Sequence, residues 1–150
     1  MILSVLIEYK SEPYNEMVAL RDKVLRKPLG LSFTEHDLAK DANDILLGLS
    51  IPRPRRIGAC CILTRIDKDV VKLRQMAVDD SLRGTGIGAF MLSFAESVAI
   101  KEGFGKITLH ARKIAAGFYL KYNYNIVGEE FIEVGIPHLR MEKNLTPANL

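Results

Sequence analysis

Cysteine is scarce in this chain, net charge is slight and long apolar runs are missing, and each shortage removes a class of protein. The two cysteines, Cys60 and Cys61, are adjacent in an apolar, strand-like run. Neighbours on a strand point to opposite faces, so no structural disulfide joins them. No histidine lies near them in sequence, so no metal is expected there either. They read as reduced, buried thiols of a cytoplasmic protein. The formal net charge of +3 over 150 residues is too mild for a nucleic-acid partner, which calls for a dense basic patch. It suits a small anionic ligand. No apolar run approaches the ~20 residues of a membrane span, so no membrane partner is expected. The opening Met1–Lys10 has no basic n-region and no cleavage site and reads as a strand, not as a signal peptide.

What is present is an ordinary globular composition, 48% hydrophobic and 26% charged. The length fits a single domain over residues 1–150. Strands are predicted at 2–9, 44–49, 57–66, 70–78, 106–110 and 125–128, and at 131–143 with a break near Gly135–Pro137. Helices are predicted at 12–26, from Thr34, at 86–102 and at 113–122. Ser11 is placed to cap the first, with Pro13 in its first turn and Met17, Leu20, Val24 and Leu25 along one stripe. Thr34 and Asp37 stand at capping-box spacing, and Gly103 fits the C′ position of the third helix. The order is mixed α/β, antiparallel first and βαβ later. The arginines of Pro52–Arg56 read as a solvated turn.

The strand at 70–78 breaks its own alternation. Val71 and Leu73 share a face, whereas Met76 and Val78 fall on the other. One extra residue near Arg74–Met76, a β-bulge, returns all four to one face; a strand buried on both faces is the other reading.

After Val78 comes Asp79-Asp80-Ser81-Leu82-Arg83-Gly84-Thr85-Gly86-Ile87-Gly88-Ala89, a glycine-rich turn that opens an amphipathic helix. Unpaired N–H groups at a helix start, with no bulky side chains near them, bind phosphates. The mononucleotide P-loop fails, because Ala89 and Phe90 stand where Lys and Ser/Thr are required. Gly84-Thr85-Gly86-Ile87-Gly88-Ala89 does satisfy the dinucleotide pattern G-x-G-x-x-A, and Arg112 ends the next strand where a 2′-phosphate is met. The glycines nevertheless follow Val78 at a distance and begin after half the chain, which leaves little room for a doubly wound sheet.

Arg83-Gly84-Thr85-Gly86-Ile87-Gly88 matches R-x-x-G-x-G and thereby resembles the GNAT superfamily of acyl-CoA-dependent N-acyltransferases. Ala115-Ala116-Gly117-Phe118-Tyr119-Leu120-Lys121-Tyr122-Asn123-Tyr124 is similar to that family's A-x-x-F-Y-x-K-x-G-F. His110-Ala111-Arg112 with Glu133-Val134-Gly135-Ile136-Pro137-His138 resembles its ElaA-like branch. The family's asparagine before the helical alanine is Arg112 here, and its G-F glycine is Asn123, a residue that tolerates positive φ.

The resemblance implies a mostly antiparallel sheet, splayed at a β-bulge and flanked by about four helices. It implies acetyl-CoA as co-substrate, with no metal, and a small-molecule or peptide amine as acceptor. Backbone N–H groups of Arg83, Gly84, Thr85, Gly86, Ile87, Gly88 and Ala89 are then expected to meet the pyrophosphate. Met76, Ala77 and Val78 pair with the arm's amides, and Phe118 lies beside the cofactor. The N–H at Ala77 serves the oxyanion, and Tyr119 gives a proton to the departing thiolate. Glu133 and His138 are the candidates for touching the acceptor; His110 and Arg74 rank behind them. The Leu25–Leu31 loop forms the other wall. A homodimer is compatible with the sequence, though no residue pattern points to one. The alternative functions are an NADP-binding oxidoreductase fragment and a non-catalytic acyl-CoA sensor.

Overall fold

A computed structural model describes residues Met1–Thr146. In chain order the elements are β1 (Leu3–Ile7), α1 (Glu12–Arg21), α2 (Glu35–Ala39), β2 (Ile45–Ile51), β3 (Arg56–Arg65), β4 (Val70–Val78), α3 (Ile87–Lys101), β5 (Lys106–Arg112), α4 (Ala116–Lys121), β6 (Asn125–Glu133) and β7 (Ile136–Asn144). The strands form one seven-stranded sheet in the order β1-β2-β3-β4-β5-β7-β6. No helix among the described residues is long and apolar enough to cross a membrane. The described residues divide into two compact units, Met1–Thr64 with Leu73–Val98, and Arg65–Lys72 with the residues from Ala99 on.

In the first unit, β1 pairs antiparallel with β2, and β2 with β3. Ser11 caps α1 by accepting from the Tyr14 N–H at 3.3 Å, as its position in the sequence predicts. The helix is shorter than the expected 12–26: after Arg21 the chain widens into a π-turn over Asp22–Arg26 and tightens into a 3₁₀ turn over Lys27–Leu29. Tyr14, Met17 and Leu20 on one face of α1 bury against Ile7, Leu46, Ile57, Cys60, Ile62 and Ala77, with Val24 and Leu25 at the margin. Burial of side chains this size stabilises by about 1.5–3 kcal/mol each. Between β2 and β3 the register slips at Leu49/Ser50, which pair with Ala59 and Ile57. Gly58 is the extra residue. A Cβ there meets Ile51 Cδ1 at 2.5 Å and Leu82 Cδ1 at 2.8 Å, so only glycine fits without displacing a neighbour. The two cysteines are free and buried, and burial pushes the Cys60 thiol up to about 12.

Thr34 and Asp37 form the capping box at the start of α2. In the arginine turn, Arg55 stays exposed and pairs with Glu16 at 2.9 Å.

In the second unit, β7 lies between β5 and β6 and is antiparallel to both. Ile107, Leu109, Ala111 and Met141 are buried on one face. Thr108, His110 and Arg112 alternate with them and are half-buried. The terminal hairpin breaks earlier than the sequence predicts. The turn is Val134–Gly135, with φ of 47° and 78°, and Pro137 lies inside β7, opposite Ile132. A two-residue loop with both φ positive is the hairpin geometry that suits twisted strands. Gly135 signals it, whereas a β-branched Val134 in that region is not legible from the sequence. β6 runs on through the expected gap at residues 129–130, absorbing them as a register shift between Val127 and Phe131.

Candidate active site

The loop between β4 and α3 is built for close approach. Asp79 accepts from the Ser81 N–H and hydroxyl at 3.0 and 2.8 Å, which folds Asp80–Leu82 into a 3₁₀ turn. These bonds hold the Asp79 carboxyl below its ordinary range, and Lys23 adds to the shift. Gly84 and Gly86 then take φ of 77° and 85°. Nothing lies within 4 Å of the position a Cβ would take at either glycine, so the surface of the turn is open. Thr85 closes the turn by donating from its N–H and its hydroxyl to the Leu82 carbonyl. The first intrahelical donor of α3 is the Phe90 N–H, to the Gly86 carbonyl at 3.0 Å. The N–H groups of Ile87, Gly88 and Ala89 precede it, in the orphan first turn that attracts anions. Arg83 is exposed and paired with Asp80 at 3.1 Å.

β4 carries the irregularity that its pattern implies. Gln75 adopts φ of 55° in mid-strand, a left-handed conformation that costs a non-glycine residue free energy and marks over-determined positions. Its carbonyl accepts from the Cys60 thiol at 3.8 Å. Met76 and Val78 are half-buried, while Ala77 is buried in the α1 cluster with Cys60. The sequence pattern selects Met76 and Val78 as the apolar pair. The structure gives the core-facing place to the small Ala77 between them.

One residue before Gln75, Arg74 anchors the strand. Its Nε donates to Thr64 Oγ1 at 2.8 Å, and its Nη2 reaches Asp41 at 3.2 Å and Asp44 at 3.0 Å. Asp41 in turn accepts from Arg21 and from the Tyr14 hydroxyl, each at 2.8 Å. Burial and the Asp41 carboxylate push the Tyr14 phenol well above its usual range, so it stays a donor. Phe33 lies against the guanidinium groups of both Arg21 and Arg26, at 4.6 and 4.7 Å, and so ties down the chain after the Leu25–Leu31 loop. Arg74, a weaker acceptor-site candidate by sequence, is thus occupied in holding β4. Nothing in the sequence links Arg74 to Asp41, 33 residues away.

In the second unit, α4 ends in a Schellman motif. Tyr124 N–H donates to the Tyr119 carbonyl, Asn123 N–H to that of Leu120, and Asn123 takes φ of 73° at C′. Asparagine therefore does the work of the glycine it replaces. Tyr119 is buried, with its ring edge-on to Phe118 and Tyr124 at 5.1 and 5.7 Å.

The β5–β7–β6 face carries a three-residue cluster. His110 Nδ1 lies 3.0 Å from Glu133 Oε1, and His138 Nε2 lies 3.6 Å from Glu133 Oε2. His138 Nδ1 is 2.9 Å from the Ile136 carbonyl. Phe131 stacks on His138 and meets His110 edge-on at 4.9 Å. Cross-strand pairing explains the convergence. His110 is opposite Arg140, and Arg112 and Phe131 are both opposite His138, which puts all of them on one face. The structure thus brings the two sequence candidates, Glu133 and His138, together with His110. It buries His138 and leaves the His110 side chain 28% exposed.

Comparisons to known proteins show the family and the fold. The family model described as an acetyltransferase (GNAT) domain matches residues 56–145. The Bacillus subtilis protein named uncharacterized N-acetyltransferase YjcF is 36% identical over 74 residues, 49% of this chain and 53% of that protein. The chain spans about half the length of the curated relatives it matches. The crystal structure of Escherichia coli ElaA superposes with a TM-score of 0.80 at 18% identity, covering 95% of this chain and 99% of that one. A GNAT family acetyltransferase from Elizabethkingia anophelis, solved with acetyl-CoA bound, superposes with a TM-score of 0.72 at 17% identity, covering 96% and 98%.

Proposed function

The chain belongs to the GNAT acetyltransferase family, and on that premise we propose that it transfers an acetyl group from acetyl-CoA to a primary amine of a small molecule or peptide. The observation that carries this reading is the open turn at Gly84 and Gly86, both left-handed and both unobstructed, leading into the start of α3. Side chains at those positions would fill the space a phosphate needs, and the orphan N–H groups of Ile87, Gly88 and Ala89 supply donors.

When bound, acetyl-CoA supplies an activated thioester carbonyl. This chain's own groups do the rest. The turn from Arg83 to Ala89 holds the pyrophosphate, with Arg83 adding charge at its rim. The backbone of Met76 and Val78 pairs with the amides of the arm, and Phe118 packs beside it. The Ala77 N–H, which also reaches the Cys60 sulfur, stabilises the carbonyl oxygen as it gains charge during attack. Tyr119 donates its phenolic proton to the leaving sulfur. Glu133 and His138 belong to the face that receives the acceptor. Transfer is direct, with no covalent enzyme intermediate. The buried, protonated thiols of Cys60 and Cys61 suit the cytoplasm and leave both residues outside the chemistry.

Calorimetry with acetyl-CoA, CoA and NADPH tests the donor. Binding of the first two and not the third is expected, and NADPH binding without CoA binding removes the proposal. A thiol-release screen over polyamines, amino acids, amino sugars and peptides then tests turnover. Acetyl-CoA binding with no thiol release from any of them makes the protein an acyl-CoA sensor instead.

A further inference from the structure

The acceptor amine is an ammonium ion in neutral water and must lose a proton to attack. Resting on the acetyltransferase reading above, we propose that His110 is the general base that takes this proton, through Nε2, and that Glu133 is its positioning residue.

The assignment follows from what each atom faces. A carboxylate only accepts. Glu133 Oε1, 3.0 Å from His110 Nδ1, therefore fixes the N–H at Nδ1. Nε2 is left as the ring's lone pair, on a side chain 28% exposed. The other two members of the cluster are committed. His138 is 4% exposed, its Nδ1 donates to the Ile136 carbonyl, and its Nε2 faces Glu133. Glu133 Oε1 accepts from His110, while His138 Nε2 lies 3.6 Å from Oε2, beyond hydrogen-bond distance. Phe131, edge-on to His110 and stacked on His138, sets the planes of both rings. This is the orienting arrangement a catalytic base needs: a third group that fixes the tautomer and stabilises the imidazolium once it forms.

The neighbouring charges are Arg140, opposite His110 on β7, and Arg112, two residues along β5. Arg140 pairs with Glu142 at 3.4 Å, and Glu133 is the carboxylate at the His110 ring. β5 also leads directly, through Lys113–Ala115, into the helix bearing Tyr119, so base and acid stand on consecutive elements. The step balances. The ammonium gives one proton to His110 Nε2 and its nitrogen then forms the new C–N bond; the C–S bond breaks as sulfur takes the Tyr119 proton, the second proton shed by the acylated nitrogen restores the phenol, and His110 returns its proton to solvent.

The chain has three histidines, which makes the test direct. Long-range ¹H–¹⁵N correlation spectra of the intact protein report which ring nitrogen carries hydrogen. His110 is expected as the Nδ1–H tautomer, and an Nε2–H tautomer overturns the proposal without any variant being made. In the thiol-release assay, with the best amine of the panel, His110→Ala is expected to lower kcat/KM by about 10²–10³-fold while acetyl-CoA still binds. Added imidazole should recover part of that loss, which a merely structural role would not allow. Glu133→Gln should cost less, and its His110 should show mixed tautomers. Wild-type rates in His110→Ala overturn the base assignment alone. A wild-type protein that binds acetyl-CoA but releases no thiol with any amine instead fails the acetyltransferase reading, and the role of His110 falls with it.

Discussion

Arg21 and Asp41 face each other at 2.8 Å with 1% and 0% of their side chains exposed. So deep a pair is costly to desolvate and is kept only where further bonds complete it. Asp41 has them, from Tyr14 and from Arg74. Because Arg74 adjoins Gln75, this acidic centre connects the interior under α1 to the strained point of β4.

Asp41 is thus the hub, and the two arginines are its spokes. Asp41→Ala leaves Arg21 buried and unpaired and should cost about 3–5 kcal/mol in urea denaturation. Arg21→Met leaves Asp41 its bonds from Tyr14 and Arg74 and should cost clearly less. Equal losses in the two variants contradict the hub arrangement.

Gly58 gives a prediction about the turn between β4 and α3. A methyl there presses on Ile51 and Leu82, and Leu82 directly precedes Arg83. The contacts are with side-chain ends, which can yield, so Gly58→Ala should lower stability by only about 1–3 kcal/mol. Its larger signature should be weaker acetyl-CoA binding in calorimetry, because the yielding residue supports the turn. Unchanged affinity would place Leu82 outside the support of that turn.

How far the sequence reaches can be seen in single residues. Ser11, Thr34, Gly103 and the glycines after Arg83 act through neighbours three or four positions away, so their roles are legible locally. The break in alternation at Arg74–Met76 marks the stretch in which Gln75 leaves the extended backbone. The Asp41 hub and the His110–Glu133–His138 cluster are not legible in this way. Arg21, Arg74 and Asp41, and likewise His110 and Glu133, meet only through tertiary packing and cross-strand register, at separations of 20 to 33 residues. Val134 fails for a different reason: the hairpin overrides a side-chain preference that a local reading has to trust.

The paired thiols predict an alkaline limit to stability. Burial raises Cys60 to about 12 and Cys61 well above its ordinary value. Each thiol therefore ionises first in the unfolded chain, near pH ~8.5. Their contribution is fully present below that pH and is lost as pH rises toward the folded value, at about 1.4 kcal/mol per pH unit for each thiol. Urea midpoints should fall between pH 8.5 and 10, and the fall should flatten in the Cys60→Ala, Cys61→Ala double variant. At pH 8 the native protein should resist thiol reagents, while the urea-unfolded chain should react at both positions. Rapid labelling of the native state would contradict the burial.

Tyr119 separates packing from chemistry in the cleanest way. Its ring sits edge-on between Phe118 and Tyr124, contacts that phenylalanine keeps. Tyr119→Phe therefore removes little beyond a hydroxyl, with a stability cost of about 1 kcal/mol for a lost hydrogen bond. If the phenol protonates the leaving sulfur, kcat should drop by about 10²-fold with acetyl-CoA affinity almost unchanged. Gly86→Glu supplies the opposite signature. It places a carboxylate where the pyrophosphate is expected and forces a side chain into φ of 85°, so binding itself should be lost. Paired calorimetry and thiol-release rates on the two variants distinguish the roles. Full turnover in Tyr119→Phe returns that residue to packing, and undiminished CoA binding in Gly86→Glu moves the phosphate site away from the start of α3.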